Sequence, residues 1–523
     1  MSDSNNKVLK TKERSPWTVL AILSSTLLAV MFAETMLLPA IPDIMKEFHM
    51  DYSVSPWIFS AYLIVAAVMT PISGRLSDIF GKKKILLILL VVYIFGLFAG
   101  GFSNNTYFLI IARIIQGVGL SSVPVAFGIV RDVFPAEKLA IAIGIFGSAY
   151  SGGSVIGLLA GATIIQSLGW HLTFFVIAPL AIIVTVLISK FILTTPSVTL
   201  YSLNKELFGN IKNRFMRKEE NSIKSKKTTN IDIKGAITLS TTITFFLIGL
   251  TILESGSKGS FNLFQLPSLF MISFVSLIMF IIFEKKSTSP LVDLKLIKHR
   301  ILLPCFLILM PIGISMFLVY PTITQLVRSP IPLGFGGDAI TVANIQLPFM
   351  IIFLIVSTSS AFIISRLGSL KPLIVGSIIA IIGSISLFMY HSTAFYVSLN
   401  LGILSTGMAL ANTGGWNILV TSAPKESVGI SVGIGALLFF IGMAIGPALA
   451  GVYMQSNQTI FNHITQVSYP SSQSYNLIFM TSLLVLIMPI IFSIILKNRL
   501  PRFIKDQNSI MEKPPSCPDK KLK

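Results

Sequence analysis

Apolar runs of about 20 residues recur from one end of this chain to the other, each closed by a short polar or glycine- and proline-rich break. Coiled as a helix rising about 1.5 Å per residue, a run of that length crosses a hydrocarbon core about 30 Å thick. Fourteen such runs are read, at about 18–41, 54–73, 85–103, 107–130, 139–163, 170–193, 235–253, 264–283, 301–320, 338–358, 372–390, 394–420, 428–452 and 475–496. Pro39, Pro42, Pro135, Pro372 and Pro424 fall at or just beyond the predicted helix ends, where a missing N–H costs least. The pattern predicts an all-α polytopic membrane protein.

Composition agrees. Of 523 residues, 53% are hydrophobic and 12% charged, with a mean hydropathy of +0.81; soluble domains carry about 25% charged residues. The first run follows a basic leader (Lys7, Lys10, Lys12, Arg14), exceeds a signal-peptide core in length and lacks a small-residue cleavage site. It is expected to be the first spanning helix. Two cysteines, Cys305 and Cys517, make no disulfide scaffold.

The net charge of +19 changes the picture only after it is mapped. By this assignment Lys46, Lys258 and Arg328 lie on one face, Arg113 lies inside, and the rest of the 40 Lys and Arg share the other face. That asymmetry marks the cytoplasmic side. It predicts a multi-pass plasma-membrane protein with both termini cytoplasmic, and basicity directed at anionic lipid rather than nucleic acid.

The chain divides accordingly. Residues 1–17 form a cytoplasmic tail, 18–193 a six-helix bundle, 194–234 a basic linker, 235–283 two inserted helices, 301–496 a second six-helix bundle, and 497–523 a second tail. Within the linker, Leu203, Leu207, Ile211 and Phe215 recur every four residues among lysines and arginines, as in a helix lying on the inner leaflet. The tail after Leu500 reads as disordered.

A repeat supports the two halves. Gly144, Gly153 and Gly157 precede Gly433, Gly442 and Gly446 by a constant 289 residues. Gly81-Lys82-Lys83-Lys84 is echoed by Gly368-Ser369-Leu370-Lys371 at an interval of 287. Duplicated halves rocking about a shared midplane site are a common architecture of secondary transporters.

Five stretches carry a family resemblance. They are Phe32-Ala-Glu34-Thr35 through Pro42; Gly74-Arg-Leu-Ser-Asp78-Ile-Phe-Gly81-Lys82; Ala112-Arg113-Ile-Ile-Gln116-Gly117; the glycine run Gly144, Gly153, Gly157, Gly161; and the insert's borders, Asp232-Ile-Lys-Gly235 and Phe283-Glu284-Lys285 with Pro290-Leu-Val-Asp293. Together they resemble the major facilitator superfamily, in its fourteen-helix drug:proton antiporter branch, over about residues 17–496. The resemblance implies the major facilitator fold and proton-coupled export of amphipathic or cationic compounds by alternating access. Three positions depart from the branch's pattern. Leu158 and Ala162 stand where proline and glycine are usual in the fifth span, with Pro447 carrying the proline in the thirteenth. Glu34 replaces the usual aspartate of the first helix.

Site residues follow. Glu34 is the acid placed well inside a core span. Burying a charge there costs roughly 2.5–3.5 kcal/mol, so the carboxyl must be protonated, paired or wet. A proton and a cationic substrate competing for one carboxylate is the simplest basis for antiport. Arg113, a guanidinium that cannot discharge, needs a carboxylate, carbonyls or water; the resemblance implies a part in proton coupling. It also implies a conformational latch at Gly74, Asp78, Gly81 and Lys82. The residues offer partners for it: Asp132 for Lys82, and the N-terminus of the thirteenth helix, capped by Ser427, for Asp78. Gly144, Gly153, Gly157 and Gly161, with Gly442, Gly446 and Pro447, are gating or packing positions. Gln116, Asn344, Gln346, Asn412, Trp416 and Asn417 are candidate cavity-lining groups.

Other classes are open to comparison. A proton-coupled carrier of an organic acid or amino-acid derivative is the alternative, favoured if Arg113 lacks a central partner acid. A non-transporting sensor is a third reading. Catalytic motifs are lacking, the five histidines are scattered, and no metal, cofactor or phosphate loop is expected. The expected partners are a small-molecule substrate, protons and the bilayer, with the monomer as the working unit.

Overall fold

In the computed structural model the chain is almost entirely helical, and residues 15–192, 232–255, 265–287, 290, 292, 294–423, 428–462 and 467–511 are described. The N-terminal bundle comprises α1 (Pro16–Met36), α2 (Ile41–Glu47), α3 (Trp57–Phe80), α4 (Lys82–Gly101), α5 (Thr106–Leu120), α6 (Ser122–Val133), α7 (Ala136–Leu168) and α8 (His171–Phe191). The inserted pair is α9 (Ile233–Ser255) and α10 (Gln265–Lys286). After a single turn, α11 (Leu294–Ile297), the C-terminal bundle comprises α12 (Leu302–Arg328), α13 (Ala339–Leu367), α14 (Leu370–Met389), α15 (Ala394–Ser422), α16 (Val428–Ser456) and α17 (Ser472–Met511). Among the described residues, 13 segments are long and apolar enough to span a membrane, and a shorter apolar stretch, Ile233–Gly249, stands where the expected seventh span begins.

Proline chemistry shapes the segment ends. Pro39 and Pro42 cannot donate to Thr35 and Leu38, so α1 stops at Met36 rather than running to residue 41. The chain continues through a 3-10 turn, Leu38–Ala40, into the short α2. The expected fourth span is likewise broken: Pro124 leaves the carbonyl of Leu120 without its helical donor, and α5 gives way to α6 at Ser121.

The stretch Gly74–Lys84, expected as the break between the second and third spans, is mostly helix. α3 runs through Phe80 and α4 starts at Lys82, so the reversal takes one residue, Gly81, at φ 95°. Gly368 makes the same turn between α13 and α14 at φ 74°. Glycine reaches that region without the Cβ clash that hinders other residues. The repeat read from the sequence is thus a repeat of backbone conformation.

Two further features differ from expectation. α17 continues to Met511, so the tail after Leu500 begins as helix. A two-stranded hairpin, β1 (Gln458–Asn462) with β2 (Val467–Pro470), joins α16 to α17. The proposed surface helix at Leu203–Phe215 lies outside the described residues.

Close packing along the glycine stripes builds each bundle. A Cβ at Gly153, Gly157 or Gly161 of α7 would fall under 3.0 Å from the backbone of Leu28, Phe32 or Met36 in α1. A Cβ at Gly442 or Gly446 of α16 would meet Met310 or Ile314 in α12 in the same way. Small residues let helices approach to backbone contact, which is how apolar helices gain dispersion energy in lipid. Gly144 and Gly433, the third repeat pair, have no neighbour within 4 Å. Close helix contact within each bundle therefore fades toward the face carrying Lys82, here termed the basic face.

Between bundles, α3 packs on α16 and α7 on α13, while α9 leans on both α3 and α16. Polar links join the bundles away from the basic face. Arg328 pairs with Asp43, Gln325 Nε2 lies 3.1 Å from Met45 Sδ, and Ser60 donates to the Ala444 carbonyl at 2.8 Å.

Candidate functional site

Glu34 and Arg113 meet. Arg113 Nη2 lies 3.2 Å from Glu34 Oε2, and the two side chains are 1% and 4% exposed. The pairing joins the last turns of α1 to the middle of α5. The guanidinium is held at each edge: Nε donates to the Ile58 carbonyl at 2.8 Å and Nη1 to Gln116 Oε1 at 2.8 Å. Its face lies 4.3 Å from the Tyr62 ring centroid and 5.7 Å from that of Phe59. Gln116, three residues along the same helix face, is fixed in turn by donating from Nε2 to the Gly96 carbonyl at 2.8 Å. A side chain at position 96 would collide with Gln116, so that glycine makes room for the bond.

This arrangement answers the cost of burial. A charge in a medium of low dielectric is stable only with counter-charge and hydrogen bonds. Arg113 has a carboxylate, a carbonyl, an amide and two aromatic faces. Glu34 Oε1, by contrast, is buried without a hydrogen-bond partner among the described residues. The condition that would have favoured an anion, a central arginine without a partner acid, is not met.

Glu34 also lines a small cavity between the bundles, about 10 Å³ in volume, with Tyr150 of α7 and Met316, Phe317 and Tyr320 of α12. A water molecule needs about that space. A second cavity of about 30 Å³ lies nearer the Asp43–Arg328 pair, where Tyr52, Phe59, Thr322 and Gln325 contribute from both bundles.

The remaining expected site residues are distributed as follows. Lys82 Nζ lies 2.5 Å from Asp132 Oδ2 and 3.2 Å from the Gly128 carbonyl, tying the start of α4 to the end of α6. Gly74, in α3, has open space where its Cβ would be. The side chain of Asp78 and all of Ser427 lie outside the described residues. Pro447 sits within α16 and borders the 30 Å³ cavity.

The candidate cavity residues do not gather at one place. Gln346 is buried and donates to the Tyr320 carbonyl at 2.8 Å and to Thr324 Oγ1 at 3.3 Å. Asn417 accepts from Ser369 at 2.6 Å, close to the turn at Gly368. Trp416 packs edge-on against Phe439, with centroids 6.1 Å apart. Asn412 is half-buried, its Oδ1 without a partner among the described residues, and Asn344 is exposed. Neither Asn412 nor Asn344 lines the 10 Å³ cavity.

The sequence reading missed Tyr62, Phe59 and Ile58 as partners of Arg113, and Asp43 as the partner of Arg328. The aromatic pair carried a faint signal, since Phe59 and Tyr62 are three apart and share a helix face. The Ile58 carbonyl carried none.

Three comparisons with known proteins bear on this geometry. The sequence profile of the Major Facilitator Superfamily matches residues 23–447. The chain belongs to that superfamily. Its relatives include the multidrug transporter protein MdtP of Bacillus subtilis, 25% identical over 457 residues, covering 86% of this chain and 77% of the relative. The quinolone resistance protein NorB of Staphylococcus aureus is 25% identical over 467 residues, covering 87% and 90%. The tetracenomycin C resistance and export protein of Streptomyces glaucescens is 24% identical over 447 residues, covering 84% and 76%. Among solved structures, the human organic anion transporter MFSD10 (TETRAN) superposes with a TM-score of 0.61 at 14% identity, covering 92% of this chain and 100% of the other. The POT family transporter PepTSo does so with a TM-score of 0.61 at 14% identity, covering 94% and 99%. The superposed structures share the fold. This chain is thus a multi-pass membrane transporter with the major facilitator architecture.

Proposed function

We propose that this transporter is a proton-coupled exporter of amphipathic, cationic compounds. It would work as a monomer in the plasma membrane, with the basic face and both termini cytoplasmic. The observation that carries the reading is the Glu34 carboxyl group, buried in the first spanning segment, bonded to Arg113 through one oxygen and lining the cavity between the bundles.

A proton on Glu34 removes the counter-charge of Arg113 and weakens the bond between α1 and α5. A cationic substrate at the same carboxylate restores the charge balance. The two therefore exclude each other, and exchange of one for the other couples proton influx to export. Arg113 gives the empty, deprotonated state a partner, so the carboxylate is not stranded between occupants. The Asp43–Arg328, Gln325–Met45 and Ser60–Ala444 contacts would hold the external side shut in this state. The Lys82–Asp132 bridge lies at the opposite end, where a cytoplasmic latch would act.

The names of the relatives support a drug or toxin as substrate. The alternative, a carrier of an organic acid, would need Arg113 as its anion site. That guanidinium already donates to three groups and is 1% exposed.

The test is transport in inside-out vesicles. Imposed acidification should drive uptake of a lipophilic cation, and an uncoupler should abolish it. Glu34→Gln should remove proton-driven uptake. Full proton-driven activity of Glu34→Gln sinks the reading.

A further inference from the structure

The glycine stripes give a way to superimpose the two bundles position by position. Gly153 and Gly157 abut Leu28 and Phe32; their counterparts Gly442 and Gly446 abut Met310 and Ile314. Each pair of contacted residues is 282 apart, so α1 maps onto α12 at that interval. Glu34 then corresponds to Met316, Thr35 to Phe317 and Leu38 to Tyr320. All six line the 10 Å³ cavity. The packing pseudo-symmetry has thus placed the same three helix positions from each half around one space and filled them with opposite chemistry. The N-terminal half contributes a carboxylate; the C-terminal half contributes a thioether, a phenyl ring and a phenol.

Tyr320 is the polar member of the C-terminal set. Its side chain is 2% exposed, and its hydroxyl has no hydrogen-bond partner among the described residues. Leaving a buried hydroxyl unpaired is costly, roughly as much as losing a hydrogen bond. The ring itself is held in place. It packs on Phe349 with centroids 5.2 Å apart, and the Tyr320 carbonyl accepts from Gln346 Nε2. A fixed phenol whose hydroxyl is unpaired among the described residues, on a residue lining the same cavity as Glu34, is a pre-positioned hydrogen-bonding group. Tyr93 also has a buried unpaired hydroxyl, but it borders neither cavity.

We infer that Tyr320 is a specificity-determining residue of the C-terminal bundle: its hydroxyl binds a polar substituent at the uncharged end of a substrate whose ammonium end is held at Glu34. The substrate class is an elongated aromatic amine carrying a hydroxyl or carbonyl at the far end. The aromatic body lies along Phe317 and the methionines Met31, Met316 and Met350, whose flexible thioethers adapt to ring systems of different outline. The space in this conformation admits about one water, so the substrate reaches it as the bundles separate. This inference rests on the proposed export of cations through the Glu34 site.

The experiment compares two probes in inside-out vesicles: 3-phenylpropyl-dimethylamine and its 4-hydroxyphenyl analogue, both protonated at neutral pH. KM and kcat for proton-driven uptake are measured for the full-length protein and for Tyr320→Phe, with Tm in detergent confirming an intact fold. The expected result is a lower KM for the hydroxylated amine on the unmodified protein. Tyr320→Phe should raise that KM about three- to tenfold, the range of one neutral hydrogen bond. The KM of the parent amine should stay within about twofold, erasing the preference. Tyr320→Leu, which removes the ring, should weaken both. Equal KM shifts for both amines in Tyr320→Phe, or none for either, overturn the anchor and leave the exporter reading standing. Failure of the unmodified protein to take up either amine under a proton gradient removes the exporter reading and the anchor together.

Discussion

The two bundles share a scaffold and differ at its centre. In both, a glycine-striped helix packs backbone to backbone on the helix that opens the bundle, α7 on α1 and α16 on α12. In both, one glycine at positive φ makes the turn on the basic face. At the core of the N-terminal bundle sits an ion pair tied to Gln116, Tyr62 and the Ile58 carbonyl. At the core of the C-terminal bundle sit neutral groups, Tyr320 with Gln346, Thr324 and Phe349. Symmetric packing therefore supplies the frame for two bundles to rock against each other. Among the described residues, the buried ion pair belongs to the N-terminal bundle. A charged pair is costly in a membrane.

The largest effect expected from breaking that contrast comes from splitting the ion pair. Arg113→Leu strands a buried carboxylate and should destabilise the fold by about 3–5 kcal/mol, read as a loss of Tm in detergent. Replacing both members, Glu34→Gln with Arg113→Gln, should recover much of that Tm while proton-driven transport stays lost. Recovery of transport by the double variant would show that the pair is only structural.

The shared scaffold is sharpened next. Gly157→Ala and Gly446→Ala each force a methyl against a helix backbone, so each should cost about 1–3 kcal/mol by overpacking, with similar losses in Tm. Gly144→Ala and Gly433→Ala meet nothing within 4 Å and should leave Tm unchanged. A large difference between Gly157→Ala and Gly446→Ala would mean that the two halves do not carry load alike.

Smaller effects belong to the exposed ends. Lys82 and Asp132 are 21% and 38% exposed, so solvent screens their bridge, and Asp132→Asn should cost no more than about 1 kcal/mol of stability. If the bridge acts as a latch, transport should fall more than Tm does. Of the same size is the effect at Asp338, which caps α13 by accepting from Thr341 Oγ1 at 2.6 Å and Thr341 N at 2.8 Å. These bonds, the side-chain bond first, hold its carboxyl below the usual aspartate range. A depressed carboxyl stabilises the folded state above its unfolded value of about 3.9 and loses that contribution as the pH falls through the folded value. Asp338→Ala should cost about 1 kcal/mol near neutral pH, and the difference in Tm should close in acid.

Much of this was legible in the residues. Spans, repeat and family follow from hydrophobic run length and glycine spacing, because lipid forces backbone groups to bond within a helix and only small residues permit close helix contact. Glu34 and Arg113 stood out because charge inside an apolar run demands an explanation. Their pairing did not stand out, since 79 residues separate them and the contact forms only when α1 and α5 pack together. The break expected at Gly74–Lys84 proved to be a one-residue turn because Arg75, Asp78 and Lys82 continue or begin helices whose ends reach past the apolar core. Asn344, Asn412, Trp416 and Asn417 were polar or amphipathic residues in helices, and their spacing could not tell a cavity from a helix contact.

By itself, then, the order of residues determined which segments cross the bilayer, where they turn and which half carries the buried charge, because each depends on neighbours along one helix. Tertiary structure alone decided that the acid meets the guanidinium, that Ile58 lends its carbonyl, and that Tyr320 lines the cavity shared with Glu34. Those contacts join residues far apart in the chain, and only the packing of one helix on another determines which side chains share a buried space.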